Sequence, residues 1–264
     1  MKFDSIMVAA EANEMILPEG WGQGRATFGG LMGAILIRHM QAYLARELPE
    51  PPPLRSFALT FVGPAVPGPL ALSAEILRSG KSVTQMQVTA RQEGQVVSTM
   101  LASLGHARES SIRVPGPAAP DWKPAEEYHS IPFMEGVSPD FLREFEMRPV
   151  AGQFPYSGSD KPDFEGYMSF RERPERQDAA SLACLVDVWP PSVIPMLTKR
   201  VPSSSMTWIM EFLEDPAELP WTDHWLYTVH TDSFADGYGQ NRSVIWDGEG
   251  RPVAFSRQTI VVFG

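Results

Sequence analysis

Apolar positions first fall into a helical rhythm at Leu31, Ile35, Ala42 and Leu44, with His39 among them, in a stretch rich in Ala, Met and Leu. That period predicts one long helix over about Gly30 to Leu48. The prolines from Pro49 to Pro53 must stop it, because proline bars helical geometry at the residue before it. Four β-like runs follow, about Leu54–Val62, Leu70–Ser79, Ser82–Gln92 and Gln95–Ala107, parted by Gly63-Pro64, Gly80-Lys81 and Glu93-Gly94. These spacers have hairpin length and hairpin chemistry. Val83 to Ala90 alternates imperfectly, which suits an antiparallel sheet with one face on the helix and the other meeting water or a partner.

The rhythm stops between Arg113 and Pro139, a proline-rich segment with no sustained period, which reads as a linker crossing a surface. It divides the chain into 1–112 and 140–264. Beyond it the order of elements returns. Ala179 to Val188 is a helical run broken by Pro190-Pro191 and Pro195, and strands are expected at about Ser203–Leu213, Asp223–Phe234, Tyr238–Trp246 and Pro252–Phe263. Glu93-Gly94 has a counterpart in Glu249-Gly250, 156 positions on, and nearly the same offset relates Leu70 to Leu226 and Phe61 to Phe212. An internal duplication is the expectation. Two such copies would pair edge to edge, since each alone leaves a bare edge strand.

Composition then narrows the function. At 264 residues and 43% apolar, the chain is long enough for real cores. It lacks a long apolar run and a basic-then-apolar start, so a soluble, cytoplasmic protein is expected, neither exported nor membrane-spanning. Thirty-two acidic against 22 basic residues give a net charge of −10, which opposes nucleic acid and anionic lipid as general partners. The single cysteine, Cys184, excludes an internal disulfide and a cysteine-rich zinc site. No G-x-S-x-G elbow, H-E-x-x-H or Walker loop is present, and His39, His106, His224 and His230 are scattered as core or surface residues rather than ligands.

A long helix wrapped by a curled antiparallel sheet, present twice, resembles the double-hotdog acyl-CoA thioesterases of the thioesterase II type. The resemblance rests on Phe28-Gly29-Gly30-Leu31-Met32-Gly33, Arg55-Ser56-Phe57 with Phe61, and Leu77 to Ser82 joined to Arg91 to Gly94. In the second half it rests on Leu185-Val186-Asp187, the strand around Trp208, and Val253 to Gln258. It implies an α+β tandem hotdog, with 1–112 and 140–264 as the two copies, assembled as a homodimer or larger. It also implies hydrolysis of an acyl-CoA thioester by an activated water, without metal or cofactor, CoA being part of the substrate. By the family pattern the catalytic trio maps to Asp187, a hydroxyl from Ser203, Ser204 or Ser205, and Gln258. Ser204 is the first choice and Ser203 the second, although the family's threonine and following acidic residue are replaced here.

The chemistry is coherent. A carboxylate in the apolar setting of Ala183 to Trp189 is desolvated toward the working range of a general base. An amide and a hydroxyl each offer a donor and an acceptor to hold a water. The N–H groups of Gly29 and Gly30, at a helix N-terminus, are oxyanion candidates. Each residue also has a plainer reading: Asp187 as a cap or ion pair, Gln258 as a cross-strand partner, the serines as a loop entering a strand, and the glycines as packing. Aromatic residues of the second half suit a core first and an acyl tunnel second. Arg242, Arg257, Lys199 and Arg200 could meet CoA phosphates, but none is assigned. A non-catalytic acyl-CoA sensor of the same fold is the main rival, and a β-barrel carrier of hydrophobic molecules the second.

Overall fold

The early helical period becomes a fully packed element in the computed structural model, which describes residues 1–263. In chain order, α1 (Phe3–Ala9), β1 (Glu14–Leu17), β2 (Gly22–Gln23) and β3 (Ala26–Thr27) precede α2 (Gly29–Glu47). β4 (Leu54–Phe61), β5 (Gly68–Ser79), β6 (Thr84–Gln92) and β7 (Gln95–Leu104) follow. After the proline-rich segment come β8 (Phe145–Gly152), β9 (Phe164–Phe170), α3 (Ala179–Val186), β10 (Ser203–Phe212), β11 (Trp225–Ala235), β12 (Tyr238–Trp246) and β13 (Pro252–Val262).

Eleven strands form one antiparallel sheet in the order β1-β5-β6-β7-β4-β10-β13-β12-β11-β9-β8. The order reads outward from the β4–β10 seam in the same sense on both sides, so residues 14–104 and 145–262 each supply a contiguous wing. At the seam Ala58 pairs with Ile209 and Leu59 with Trp208. The hairpin expected at Glu93-Gly94 closes β6 onto β7, both residues having positive φ (50° and 78°), as a two-residue turn of matching twist demands.

Both helices lie on the inner face of this sheet. Leu31, Ile35, Leu36 and Ile37 of α2 are fully buried, each contributing about 2 kcal/mol of apolar transfer. α3 is only eight residues long but is buried on every side, the mark of a core helix. Asp178 caps it by accepting from the N–H groups of Ala180 and Ser181, while Ser181 Oγ accepts from Asp178 N–H, closing a capping box. Pro190 and Pro191 keep it short, two residues before the predicted end at Val188.

α1, β1 to β3, β8 and β9 were not legible in the pattern. β8 carries Pro149 and sits at the sheet edge, where a missing N–H costs least. The proline-rich segment crosses the outer face of the second wing. Trp246 Nε1 donates to Pro117 O, and Ala125 packs with Tyr167, Leu226 and Trp246. Among the described residues no helix is long and apolar enough to cross a membrane.

Candidate active site

Asp187 is the residue that ends α3, placed where that helix meets the N-terminus of α2. The two helices run antiparallel and touch at both ends. At one end the Asp187 carboxylate accepts the backbone N–H of Gly30. At the other, Arg38 of α2 donates to Asp178 at 2.7 Å, an ion pair with both side chains buried. Glycine makes the first contact possible. A Cβ on Gly29 would stand 2.8 Å from Asp187 Oδ2, and one on Gly30 would stand 2.5 Å from the Cys184 carbonyl oxygen. Gly33 performs the same service for the Trp208 ring, at 2.8 Å.

Gln258 reaches the same carboxylate from β13, donating from Nε2 to Asp187 Oδ1 at 2.6 Å. Its strand partner is Trp208, fully buried on the inner face, and directly opposed residues share a face. Asp187 and Gln258 are only partly buried, so the pair keeps an opening to solvent. Burial nonetheless pushes the Asp187 carboxyl up to about 7, against the opposing pull of the Gln258 and Gly30 hydrogen bonds. Two further titratable groups face it: Cys184 on α3 and Tyr227 on β11, both raised by burial and by the charge at Asp187. Both stay protonated at neutral pH.

The serines do not join this pair. Counting by twos from Trp208 puts residue 204 on the inner face, but the β10–β13 register shifts between Ser205 and Thr207. That bulge adds one residue and reverses the alternation below it. Ser204 therefore opposes Val261 on the outer face, exposed, with its Oγ donating to the Ser205 carbonyl. Ser203 opposes Val262 on the inner face, four residues from Gln258 and roughly 13 Å along the strand. Ser205, opposite Ile260, is the nearest of the three on the correct face. The oxyanion reading of the glycines also changes, because the Gly30 N–H is already engaged by Asp187, and Gly29 abuts the same carboxylate.

Several residues around the pair were missed. Asn241 and Ser243 of β12 face inward and are buried, Asn241 directly opposite Gln258. Ser243 Oγ donates to Tyr227 Oη at 2.8 Å, and Trp208 Nε1 donates to Ser256 Oγ at 2.9 Å. Their signal was present in the sequence: Asn241 and Ser243 are polar at inward positions of a strand that calls for apolar ones. Arg242 and Arg257 lie on the outer face and share Asp232. In the first wing Phe57 pairs with Ala102, as Trp208 pairs with Gln258 in the second. Arg38 there faces the start of α3, as Asp187 faces the start of α2. Among the described residues the acid and the amide thus meet only once.

Solved structures share this architecture. A hotdog-fold protein from Alicyclobacillus acidocaldarius superposes with a TM-score of 0.85 at 22% identity, over 98% of each chain. An acyl-CoA thioesterase II from Mycobacterium marinum does so with 0.73 at 16% identity, over 99% of this chain and 98% of that one. A tesB protein of Mycobacterium avium subsp. paratuberculosis gives 0.76 at 16%, over 100% of each chain. Likeness at such identities establishes the hotdog fold. No curated protein sequence matches. Models of the acyl-CoA thioesterase N-terminal and C-terminal domains match residues 17–105 and 116–262, which together span most of the sequence, and the chain belongs to the acyl-CoA thioesterase family.

Proposed function

We propose that this protein hydrolyses acyl-CoA thioesters to the free carboxylic acid and CoA. The observation that carries the reading is the Asp187–Gln258 pair, an inward carboxylate with a pKa near 7, held at 2.6 Å by an amide and reachable from solvent. In this scheme Asp187 takes a proton from a bound water as the water oxygen attacks the thioester carbonyl. The tetrahedral intermediate collapses by breaking the carbon–sulfur bond, and the leaving thiolate takes the proton that Asp187 had accepted, which restores the carboxylate. Gln258 keeps the carboxylate fixed and offers its remaining amide oxygen to the water. Ser205 is the one serine of its run on the correct face near Gln258, and it replaces Ser204 as the hydroxyl of choice.

The fold reading follows. The two wings are taken as tandem hotdog copies, residues 1–112 and 140–264 joined by 113–139. Among the described residues only the second bears a complete acid–amide pair, so one site per chain is expected.

Thiol release from a panel of acyl-CoAs tests the proposal. At least one member should turn over, and kcat/KM should fall as pH drops below about 7, where Asp187 gains its proton. Asp187→Asn should lower kcat by about 10²-fold, the size of a lost general base. Binding of acyl-CoA without turnover of any member would replace hydrolysis with the sensor reading. Binding of free fatty acid without any dependence on CoA would replace it with the carrier.

A further inference from the structure

Three polar side chains, Asn241, Thr231 and Ser192, form a row beside Gln258. Across the inner face, Gln258 of β13 opposes Asn241 of β12, and Asn241 opposes Thr231 of β11. Ser192 comes down onto this row from the segment after α3. Its Oγ lies 2.8 Å from Thr231 Oγ1 and 3.5 Å from Asn241 Nδ2, which donates to it. Ser192 is fully buried and Asn241 nearly so, at 6% exposure. Buried polar groups weaken a fold unless every one is paired, and apolar residues of the same shape would pack here at least as well. The row is paired and so costs the fold little, but stability alone does not require polar residues at these three positions.

The row's position does. Ser192 is five residues beyond Asp187, on the same connecting segment, and Asn241 is the cross-strand neighbour of Gln258. The row thus ties the segment that carries the acid to the strands that carry the amide. A Gln258 amide turned by 180° would place its oxygen against the Asp187 carboxylate. With Nδ2 committed to Ser192, Asn241 keeps its Oδ1 as an acceptor beside Gln258, the Cβ atoms of such a pair lying about 4.5–5.5 Å apart, and an acceptor there favours the Gln258 amide with its N–H groups, not its oxygen, on that side.

We propose that Asn241, anchored by Ser192 and Thr231, is a positioning residue that holds the Gln258 amide toward Asp187. The inference rests on the hydrolytic reading of that pair, and it acts through Gln258 rather than by touching substrate. Its consequence is specific. If Gln258 loses its orientation, the Asp187 carboxylate loses a hydrogen bond that favours its charged form, and its pKa rises further above 7.

The test compares wild type with Asn241→Leu, Ser192→Ala and Ser192→Thr, using an acyl-CoA that the wild type turns over. Asn241→Leu should lower kcat about 10-fold or more, the scale for one preorganised donor, with KM changed less than about threefold. The acid limb of its kcat/KM profile should move to higher pH. Because Cys184 and Tyr227 stay protonated through this range, the limb reports Asp187. Ser192→Ala should move both readouts the same way by a smaller amount, and Ser192→Thr should restore them. Asn241→Leu with wild-type kcat and an unmoved limb overturns the proposal, as does a lower kcat with an unmoved limb. Should Asn241→Leu fail to fold, Ser192→Ala decides alone. If wild type turns over no acyl-CoA, the hydrolytic reading fails by itself. The proposal is then judged on the pH at which the decline of thermal stability is complete, which must still be higher in Ser192→Ala than in wild type.

Discussion

Replacing Asp187 by Asn should destroy activity and, above neutral pH, strengthen the fold. The Asp187 carboxyl titrates near 7 in the folded chain against an ordinary 3.8, so the folded state holds this proton more tightly than the unfolded chain does. The stability that Asp187 contributes is complete below pH 3.8 and is lost progressively as pH rises to about 7. At 1.36 kcal/mol per tenfold change in proton affinity, the loss approaches about 4 kcal/mol. Residual water access to the half-buried side chain reduces it to roughly 2–4 kcal/mol. The substituted asparagine side chain has nearly the same shape and no charge to desolvate, and the Gln258 amide can turn to offer it an acceptor. Thermal melts of both proteins at pH 5 and pH 8.5 measure the effect, the difference between them cancelling every other titrating group. Only the part of the 3.8-to-7 span above pH 5 is sampled, about two-thirds of it, so the Tm advantage of Asp187→Asn should grow by roughly 3–5 °C between the two pH values, taking about 2 °C per kcal/mol for a chain of this size. An advantage that stays constant with pH would refute the account of Asp187 as a strained buried charge, and with it the argument for its tuned basicity.

Two other substitutions test the contacts at the ends of the helix pair. Arg38→Leu strands the buried Asp178 carboxylate, which keeps only its two cap N–H donors. It should cost about 3 kcal/mol in urea unfolding, and a loss below about 1 kcal/mol would show the pair to be solvated. Gly29→Ala gains helix propensity, but its Cβ would stand 2.8 Å from Asp187 Oδ2 and 3.1 Å from the Phe61 ring. Turnover should fall about 10-fold or more while Tm changes little, because small displacements of reacting groups are costly to rate. Unchanged turnover would place the working carboxylate elsewhere.

Local sequence rules determined a large part of this protein. The period of α2, the proline stop after it, the Glu93-Gly94 turn and eight of the strands follow from patterns a few residues long, because backbone sterics and side-chain periodicity act over that range. Asp187 and Gln258 were legible only through the resemblance to the thioesterases, because the residue pattern by itself left Asp187 readable as a cap and Gln258 as a cross-strand partner.

Tertiary structure decided the rest, and each case involves partners far apart in sequence. One bulge after Ser205 turned Ser204 out of the site, and no count along a single strand reveals where its partner's register shifts. The Gly30 N–H was spent on Asp187 rather than left for a substrate, because α3 docks against the N-terminus of α2. Arg38 and Asp178 gave no sign of each other across 140 residues. The Asn241–Ser192–Thr231 row exists only where three separate segments converge. Periodicity fixes which way a side chain faces within its own element. What it meets there is set by packing between elements, where the hydrogen bonds and desolvation that give a site its chemistry arise.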